Sequence, residues 1–151
     1  MVDQQVRVPD LSARPYELTV ERVMAASPDL LYLAWTQGFD IWLAEPSSVR
    51  MRPEVNEPFY FETLHEDTRR PHYGRFLRLE PGRRVELTWM TGDEGTEGAE
   101  TVVRVEFVKQ PRGIRLRLQH SGFRDETTRD RHRAAWPEIL KRLDERTAAT
   151  D

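Results

Sequence analysis

The sequence predicts an α+β domain in which a curved antiparallel sheet of six or seven strands surrounds one long C-terminal helix. Three observations support this fold class. From about Val49, apolar and polar residues alternate over roughly seventy residues, which is the period of half-buried strands. The connections between these runs are short, and strands joined by short connections pair antiparallel. The segment 124–147 then returns to helical spacing.

The first folded element is predicted at 17–24, where leucine and valine alternate with charged and polar residues. Residues 1–16 are polar and contain two prolines, so we expect a flexible N-terminal arm. Ser27 can cap a helix that has Pro28 at its first position, where the missing N–H costs nothing. A second short helix is predicted at 39–44, which places two short helices after the first strand.

The middle of the chain is predicted to be an antiparallel meander. A short strand interrupted by Pro53 is expected around 49–55. Glycine, proline and aspartate mark the turns between the later strands. These turns are expected at 67–71, 81–82, 92–98 and 111–113. The alternating runs themselves occupy 58–66, 71–81, 83–91, 99–110 and 112–122.

The last helix carries an apolar stripe that His132 extends by one turn towards its start. The stripe consists of Trp136, Ile139, Leu140 and Leu143. Pro137 lies inside this helix and removes one backbone hydrogen bond, which predicts a bend near Arg133. Since a twisted sheet curled around a single helix encloses more space than its side chains fill, we expect an internal cavity between them.

Composition excludes several classes of function. The formal net charge is only −3, so no overall field attracts nucleic acid. The chain has no cysteine, which excludes a disulfide framework and a thiol nucleophile. No signal peptide or membrane span is recognisable, and we expect a cytoplasmic protein that binds neither nucleic acid nor membrane. Residues 148–151 are expected to form a short tail.

Four segments, in this order and spacing, resemble the activator-of-Hsp90-ATPase-homologue-like family of the START/Bet v 1-like (SRPBCC) superfamily. They are ERVMAASPDLLYLAWT, YGRFLRLEPGRRVELTW, GIRLRLQHSGF and HRAAWPEILKRLDE. The resemblance implies one domain over 17–147 with a helix-grip fold, a sheet that grips the C-terminal helix around a hydrophobic cavity. The chain departs from the family at Ala135, where a glycine is usual, and at Pro137.

His120 is the candidate for chemistry. In its strand it shares a face with Leu116 and Leu118, so it should face the helix or the cavity. A buried neutral imidazole can orient a ligand or act as a general base. The alternative is structural: His120 would bond backbone groups at the start of the last helix, with Ser121 as its cap and Gly122 in the turn. We favour the structural alternative, because a lone histidine is weak evidence for catalysis.

The expected ligand-binding residues are mostly aromatic. For most of these rings an ordinary core role is the alternative, and the four tryptophans are the best candidates for cavity walls. Two histidines without a carboxylate cluster make a poor metal site, so we expect no metal and no cofactor. His65 and His72 flank a loop and should be exposed. The predicted lining set is Trp35, Trp42, Phe59, Phe61, Phe76, Trp89, Phe107, Leu118, His120, His132 and Trp136.

Three hypotheses of function follow. The preferred one is binding of a small hydrophobic or aromatic ligand that is lipid-, polyketide- or flavonoid-like, without turnover. The resemblance also implies an interaction module that contacts an Hsp90-type chaperone. The third is a cofactor-free cyclase or hydrolase with His120 as acid or base. We expect a monomer or a weak homodimer.

Overall fold

The elements follow the predicted order of strand, two short helices, meander and C-terminal helix. A computed structural model describes residues 6–150, with side chains to 148. The elements are β1 (Tyr16–Met24), α1 (Pro28–Thr36), α2 (Phe39–Trp42), a 3-10 turn (Pro46–Ser48), β2 (Pro58–His65), β3 (Thr68–Glu80), β4 (Arg84–Thr91), β5 (Thr101–Lys109), β6 (Ile114–Phe123) and α3 (Glu126–Thr150).

The described strands form one six-stranded sheet in the order β1-β6-β5-β4-β3-β2. Every neighbouring pair is antiparallel. The first strand joins the last, and this register sets Leu18 opposite His120. The long helix α3 packs against β1 and α2 and buries its apolar stripe there. The predicted helix-grip architecture is therefore confirmed.

Two segments of the meander differ from prediction. The segment 49–55 forms no strand, only isolated bridges from Arg50 and Val55, since Pro53 interrupts it. The turn predicted at 67–71 consists of Glu66 and Asp67 alone, whose left-handed φ values of 50° and 64° make a two-residue hairpin.

Pro71 consequently lies inside β3, where a turn was expected. It is tolerated because the pairing of β3 with β4 begins only at His72, so this end of β3 has a free edge.

The junction of β6 and α3 also differs from prediction. Ser121 does not cap α3; the side chain of Asp125 does, since its Oδ1 accepts from the Thr128 amide at 2.8 Å. Gly122 is the extra residue of a β-bulge at the end of β6 and has a φ of +92°. The strand therefore continues to Phe123 before the chain turns into the helix.

Beyond this junction α3 is helical across Pro137 up to Thr150. The predicted bend near Arg133 stays a prediction.

An ion pair fastens β1 to α3. Arg22 lies in the apolar phase of its strand, which is unusual for a charged residue. Its Nη2 is 3.2 Å from Oδ2 of Asp144, and the Ala25 amide donates to the other carboxylate oxygen at 3.0 Å. Asp144 therefore joins α3 both to β1 and to the residue that directly follows this strand.

Residues 6–15 precede β1 and contact the outer face of the sheet. Arg14 donates from Nε to the Gly122 carbonyl and from Nη2 to the Glu100 carbonyl, both at 2.8 Å. The side chain of Arg75 bonds the carbonyl of Arg7. The remainder of the predicted flexible arm, residues 1–5, lies outside the described residues, and so does residue 151 of the predicted tail.

Replacement of Gly74 by alanine should destabilise the sheet. A Cβ at this position in β3 would lie 2.3 Å from the Thr88 carbonyl oxygen and 2.4 Å from Cζ of Phe59. We expect the Gly74→Ala variant to lose about 2 kcal/mol of unfolding free energy, measured by urea denaturation. Gly92→Ala is the matched control, because nothing lies within 4 Å of its added Cβ. Equal stability of the two variants would contradict this packing.

Candidate functional site

A cleft of about 570 Å³ opens at one end of the domain. Its walls come from α3, from the β2–β3 hairpin and from the loop that follows β4. We call it the α3 cleft and define it by Trp89, Trp136, His72, His132 and Ala135, all of which line it. The two indoles lie 5.5 Å apart, between ring centroids, and form its floor, where Trp89 is only 4% and Trp136 only 1% exposed.

One face of α3 supplies the helical wall of the cleft. The cleft-lining positions of this helix are 132, 135, 136, 139 and 142. Their spacing is that of a single helical stripe. Leu140 and Leu143, the other members of the predicted stripe, are buried in the core. Leu140 and Leu143 therefore pack in the core only, whereas the buried Trp136 and the half-buried Ile139 also line the cleft.

His120 does not line the α3 cleft. It is fully buried, and both of its ring nitrogens are hydrogen-bonded to side chains. The indole Nε1 of Trp136 donates to Nδ1 at 3.0 Å. Nε2 lies 2.7 Å from Oγ1 of Thr101, whose hydroxyl donates onward to the Trp89 carbonyl.

The directions of these bonds fix the proton on His120. Since an indole N–H can only donate, Nδ1 of His120 is an acceptor and Nε2 carries the hydrogen. Burial holds the pKa of His120 well below its usual value, and the nearby His132 acts in the same direction. The ring is neutral and fully bonded, so it has no free nitrogen for a ligand. Its partners are side chains, and not the helix backbone that the sequence suggested.

Three imidazoles line the cleft: His65 is exposed, whereas His72 and His132 are half-buried. Nδ1 of His72 lies 3.0 Å from the Arg70 carbonyl oxygen, and Nδ1 of His132 lies 2.8 Å from that of Thr128. A carbonyl only accepts, so each Nδ1 carries the hydrogen when the ring is neutral. Burial lowers the pKa of His72 to about 4 and lowers that of His132 as well.

The prediction that His72 is exposed is wrong. Its ring stacks on Phe61 with centroids 4.6 Å apart, and it meets the edge of Trp89 at 5.3 Å. Because a turn was predicted at 67–71, His72 was expected beside a loop and its contacts with these rings were not predicted. The alternation of side chains along β3 could have predicted that His72 faces inward, because it shares a strand face with Gly74 and the buried Phe76. His65 is exposed, as predicted.

Of the eleven predicted lining residues, three line the cleft: Trp89, His132 and Trp136. The others fill the space in which a larger cavity was expected. The indole of Trp35 lies 4.9 Å from that of Trp42, and Trp42 donates from Nε1 to the Ala34 carbonyl. The residues buried away from the cleft are Trp35, Trp42, Phe59, Phe61, Phe76, Phe107, Leu118 and His120.

The rim of the cleft carries charges of both signs. Arg69 pairs with Glu62 at 3.1 Å, and Arg70 pairs with Glu94 at 2.8 Å. Arg142, on α3, makes no ion pair within the described part of the chain. Asp93, in the loop after β4, is the other rim charge without an ion pair among those residues.

Within 6–148, no group of three or more His, Cys, Asp or Glu side chains is arranged to hold a metal ion. Over the described range no helix has the length and apolar character needed to cross a membrane.

The family model for activator of Hsp90 ATPase homolog 1-like proteins matches residues 25–148. The chain belongs to this family. The match includes five of the six strands in full and α3 up to residue 148, so the AHSA1-like family accounts for almost the whole described fold. No protein of curated function matches the chain.

Solved structures share this AHSA1-like fold. MLL2253 from Mesorhizobium loti has a TM-score of 0.76 at 24% identity, over 90% of this chain and 99% of that one. The AHSA1 protein SPO3351 from Silicibacter pomeroyi has a TM-score of 0.74 at 22% identity, over 90% and 100%. CV1439 from Chromobacterium violaceum has a TM-score of 0.74 at 22% identity, over 87% and 96%. At these identities the likeness concerns the fold.

The buried histidines should make the protein sensitive to mild acid. For His120 the folded pKa is depressed, so between that value and about 6.5 the unfolded chain binds more protons than the folded one. Its contribution to stability is complete above about pH 6.5 and declines as pH falls, by at most about 1.4 kcal/mol per pH unit. Urea denaturation between pH 7.5 and 5.5 should show this loss in the wild type.

The His120→Gln variant should show a shallower pH dependence, because the amide does not titrate. It should also be less stable at pH 7.5, since the geometry of the bonds to Trp136 and Thr101 changes. The matched control is His65→Gln, which alters an exposed ring and should leave the slope unchanged. An identical slope in wild type and His120→Gln would show that His120 does not titrate as its burial implies.

Proposed function

We propose that the protein binds a small hydrophobic or aromatic ligand in the α3 cleft. The observation that carries this proposal is an open volume of about 570 Å³ above two indoles and the stacked ring of His72. Binding sites for small molecules have volumes of this order, apolar walls and few polar groups. The AHSA1-like family is compatible with such a role.

The shape of the core favours a flat ring system over a long acyl chain. Behind the cleft floor the interior is occupied by packed rings, such as Trp35 at 6.1 Å from Trp136 and Phe39 at 6.2 Å from Trp89. A chain of many methylenes would need a tunnel through these side chains. A polyketide- or flavonoid-like ligand can instead lie on the indoles, since aromatic rings stack favourably at such distances.

The bonding of His120 argues against the cyclase or hydrolase hypothesis in its original form. A general base needs a free lone pair within reach of the substrate, and both nitrogens of His120 are bonded inside the core. Contact with an Hsp90-type chaperone would use an exposed surface and does not require a cleft. Blocking the cleft therefore separates ligand binding from chaperone contact.

Ala135 offers a direct way to block the cleft. Its side chain is exposed on the cleft wall, so a phenyl ring at this position would occupy the ligand volume without disturbing the core. Thermal unfolding should be followed with a library of flavonoids, aromatic polyketides and fatty acids. At a hundredfold excess over Kd, a ring ligand should raise the wild-type Tm by about 5 °C or more.

The Ala135→Phe variant should bind the best library ligand at least about tenfold more weakly, as measured by quenching of tryptophan fluorescence. Ala134→Phe is the matched control: it adds the same group one residue earlier, on an exposed position outside the cleft, and should bind normally. If no library compound stabilises the wild type, or if Ala135→Phe binds equally well, the ligand-binding proposal is wrong. A pull-down with the cognate Hsp90 then becomes the next experiment.

A further inference from the structure

We propose that the α3 cleft selects a hydroxylated aromatic carboxylate. A ring hydroxyl of the ligand donates to Nε2 of His72 or His132, and the carboxylate pairs with Arg142. This inference rests on the proposed function and specifies the chemical class of the ligand. It is supported by three groups of the cleft: Nε2 of His72 and Nε2 of His132, to which no described residue donates, and the guanidinium of Arg142, which has no ion pair among those residues.

The two imidazoles supply hydrogen-bond acceptors. Each donates its Nδ1 hydrogen to a backbone carbonyl, of Arg70 for His72 and of Thr128 for His132. In the neutral ring Nε2 then has a lone pair and no hydrogen. No described residue donates to either Nε2, although both rings line the cleft. A ligand that offers an O–H can satisfy such an atom, whereas a ligand that offers only acceptors cannot.

The surroundings keep these rings in the accepting form. The pKa of His72 is lowered to about 4, chiefly by burial, and the positive charge that His132 would carry acts in the same direction. Burial is also the main cause of the lowered pKa of His132, and Arg131 contributes in the same direction. Both rings are therefore neutral near pH 7. Covering a neutral ring with a purely apolar ligand would leave its lone pair unsatisfied, which is unfavourable.

Arg142 supplies the positive charge at the mouth of the cleft. The other cleft arginines, Arg69 and Arg70, are already engaged with Glu62 and Glu94. Arg142 lies on the cleft stripe of α3, and no described carboxylate is within ion-pair distance of it. A guanidinium binds a carboxylate through two parallel N–H donors, which makes a ligand carboxylate its natural partner.

The spacing of these groups sets the size of the ligand. His132 and Arg142 are ten residues apart on one helix, or about 15 Å along its axis. The arginine side chain leans towards the N-terminus of the helix and shortens this span. Two or three fused rings bridge the remaining distance, with the hydroxyl and the carboxylate at opposite ends.

Asp93 is the rim charge that favours a different ligand. Its carboxylate lines the cleft from the loop after β4 and makes no ion pair among the described residues. An aromatic ammonium would bind there in preference to a carboxylate. We favour the anion because Arg142 lies on the same helical stripe as His132 and Trp136, so that ring, hydroxyl and carboxylate are held by one rigid element.

Four naphthalene probes test the inference: 6-hydroxy-2-naphthoate, 6-methoxy-2-naphthoate, 2-naphthol and 2-naphthylmethylammonium. The methoxy compound keeps the ring and the acceptor oxygen but has no hydrogen to donate. In isothermal titration at pH 7.5 the hydroxy acid should bind the wild type about tenfold more tightly than the methoxy acid. It should also bind about threefold or more tightly than 2-naphthol, which has no carboxylate.

Variants assign the two contacts. In His72→Phe or in His132→Phe the hydroxy and methoxy acids should bind equally, while the methoxy acid binds as it does to wild type. Arg142→Gln should remove the preference for the hydroxy acid over 2-naphthol. Lys141→Gln removes a neighbouring charge of α3 that lies outside the cleft, so it should preserve both preferences.

Equal binding of the hydroxy and methoxy acids by wild type would overturn the donor contact, and so would a preference that persists in both histidine variants. Tighter binding of the ammonium than of the hydroxy acid would overturn the carboxylate contact. These failures leave binding in the cleft intact. If no naphthalene binds and no library compound stabilises the protein, the proposed function fails together with the inference.

Discussion

A chain of three hydrogen bonds through His120 joins the C-terminal helix to the sheet. It runs from the Trp136 indole to Nδ1 of His120, from Nε2 to the Thr101 hydroxyl, and from that hydroxyl to the Trp89 carbonyl. Every group in the chain is buried and every donor has an acceptor, which is the condition under which a polar group is tolerated in a core. An indole N–H only donates and a carbonyl oxygen only accepts, so the two ends of the chain fix the direction of every bond between them.

This chain also determines where the cleft lies. It binds the Trp136 ring through the indole Nε1 and ends at the backbone carbonyl of Trp89. These two residues form the cleft floor. Behind them the core is filled, so the α3 cleft lies in front of them. His120 thus contributes to the site as a positioning residue, although it is too deep to touch a ligand. The same imidazole that suggested catalysis is needed to keep the floor rigid.

Much of the fold was predictable because it depends on local rules. The alternation of apolar and polar residues predicted the strands, and Ser27 with Pro28 predicted the start of α1. The position of His120 in step with Leu116 and Leu118 predicted that it lies on the inner face of β6. The extent of the cavity was not predictable. Whether Trp35 lines a cavity or fills the core depends on the total volume of all the buried side chains. No single segment of the sequence contains that information. His72 was missed for a local reason, since Pro71 was interpreted as part of a turn.

The buried His120 and the half-buried His72 and His132 show that desolvation alone does not assign a role. Burial is the main cause of the lowered pKa of His72, His120 and His132, and all three rings are neutral near pH 7. They differ in how many of their nitrogens the protein occupies. His120 is bonded at both nitrogens and therefore acts on the fold, whereas His72 and His132 are bonded at one and keep an acceptor at the cleft. The structural imidazole and the two imidazoles of the proposed binding site therefore differ in how many ring nitrogens are satisfied. That number depends on which side chains meet across the core.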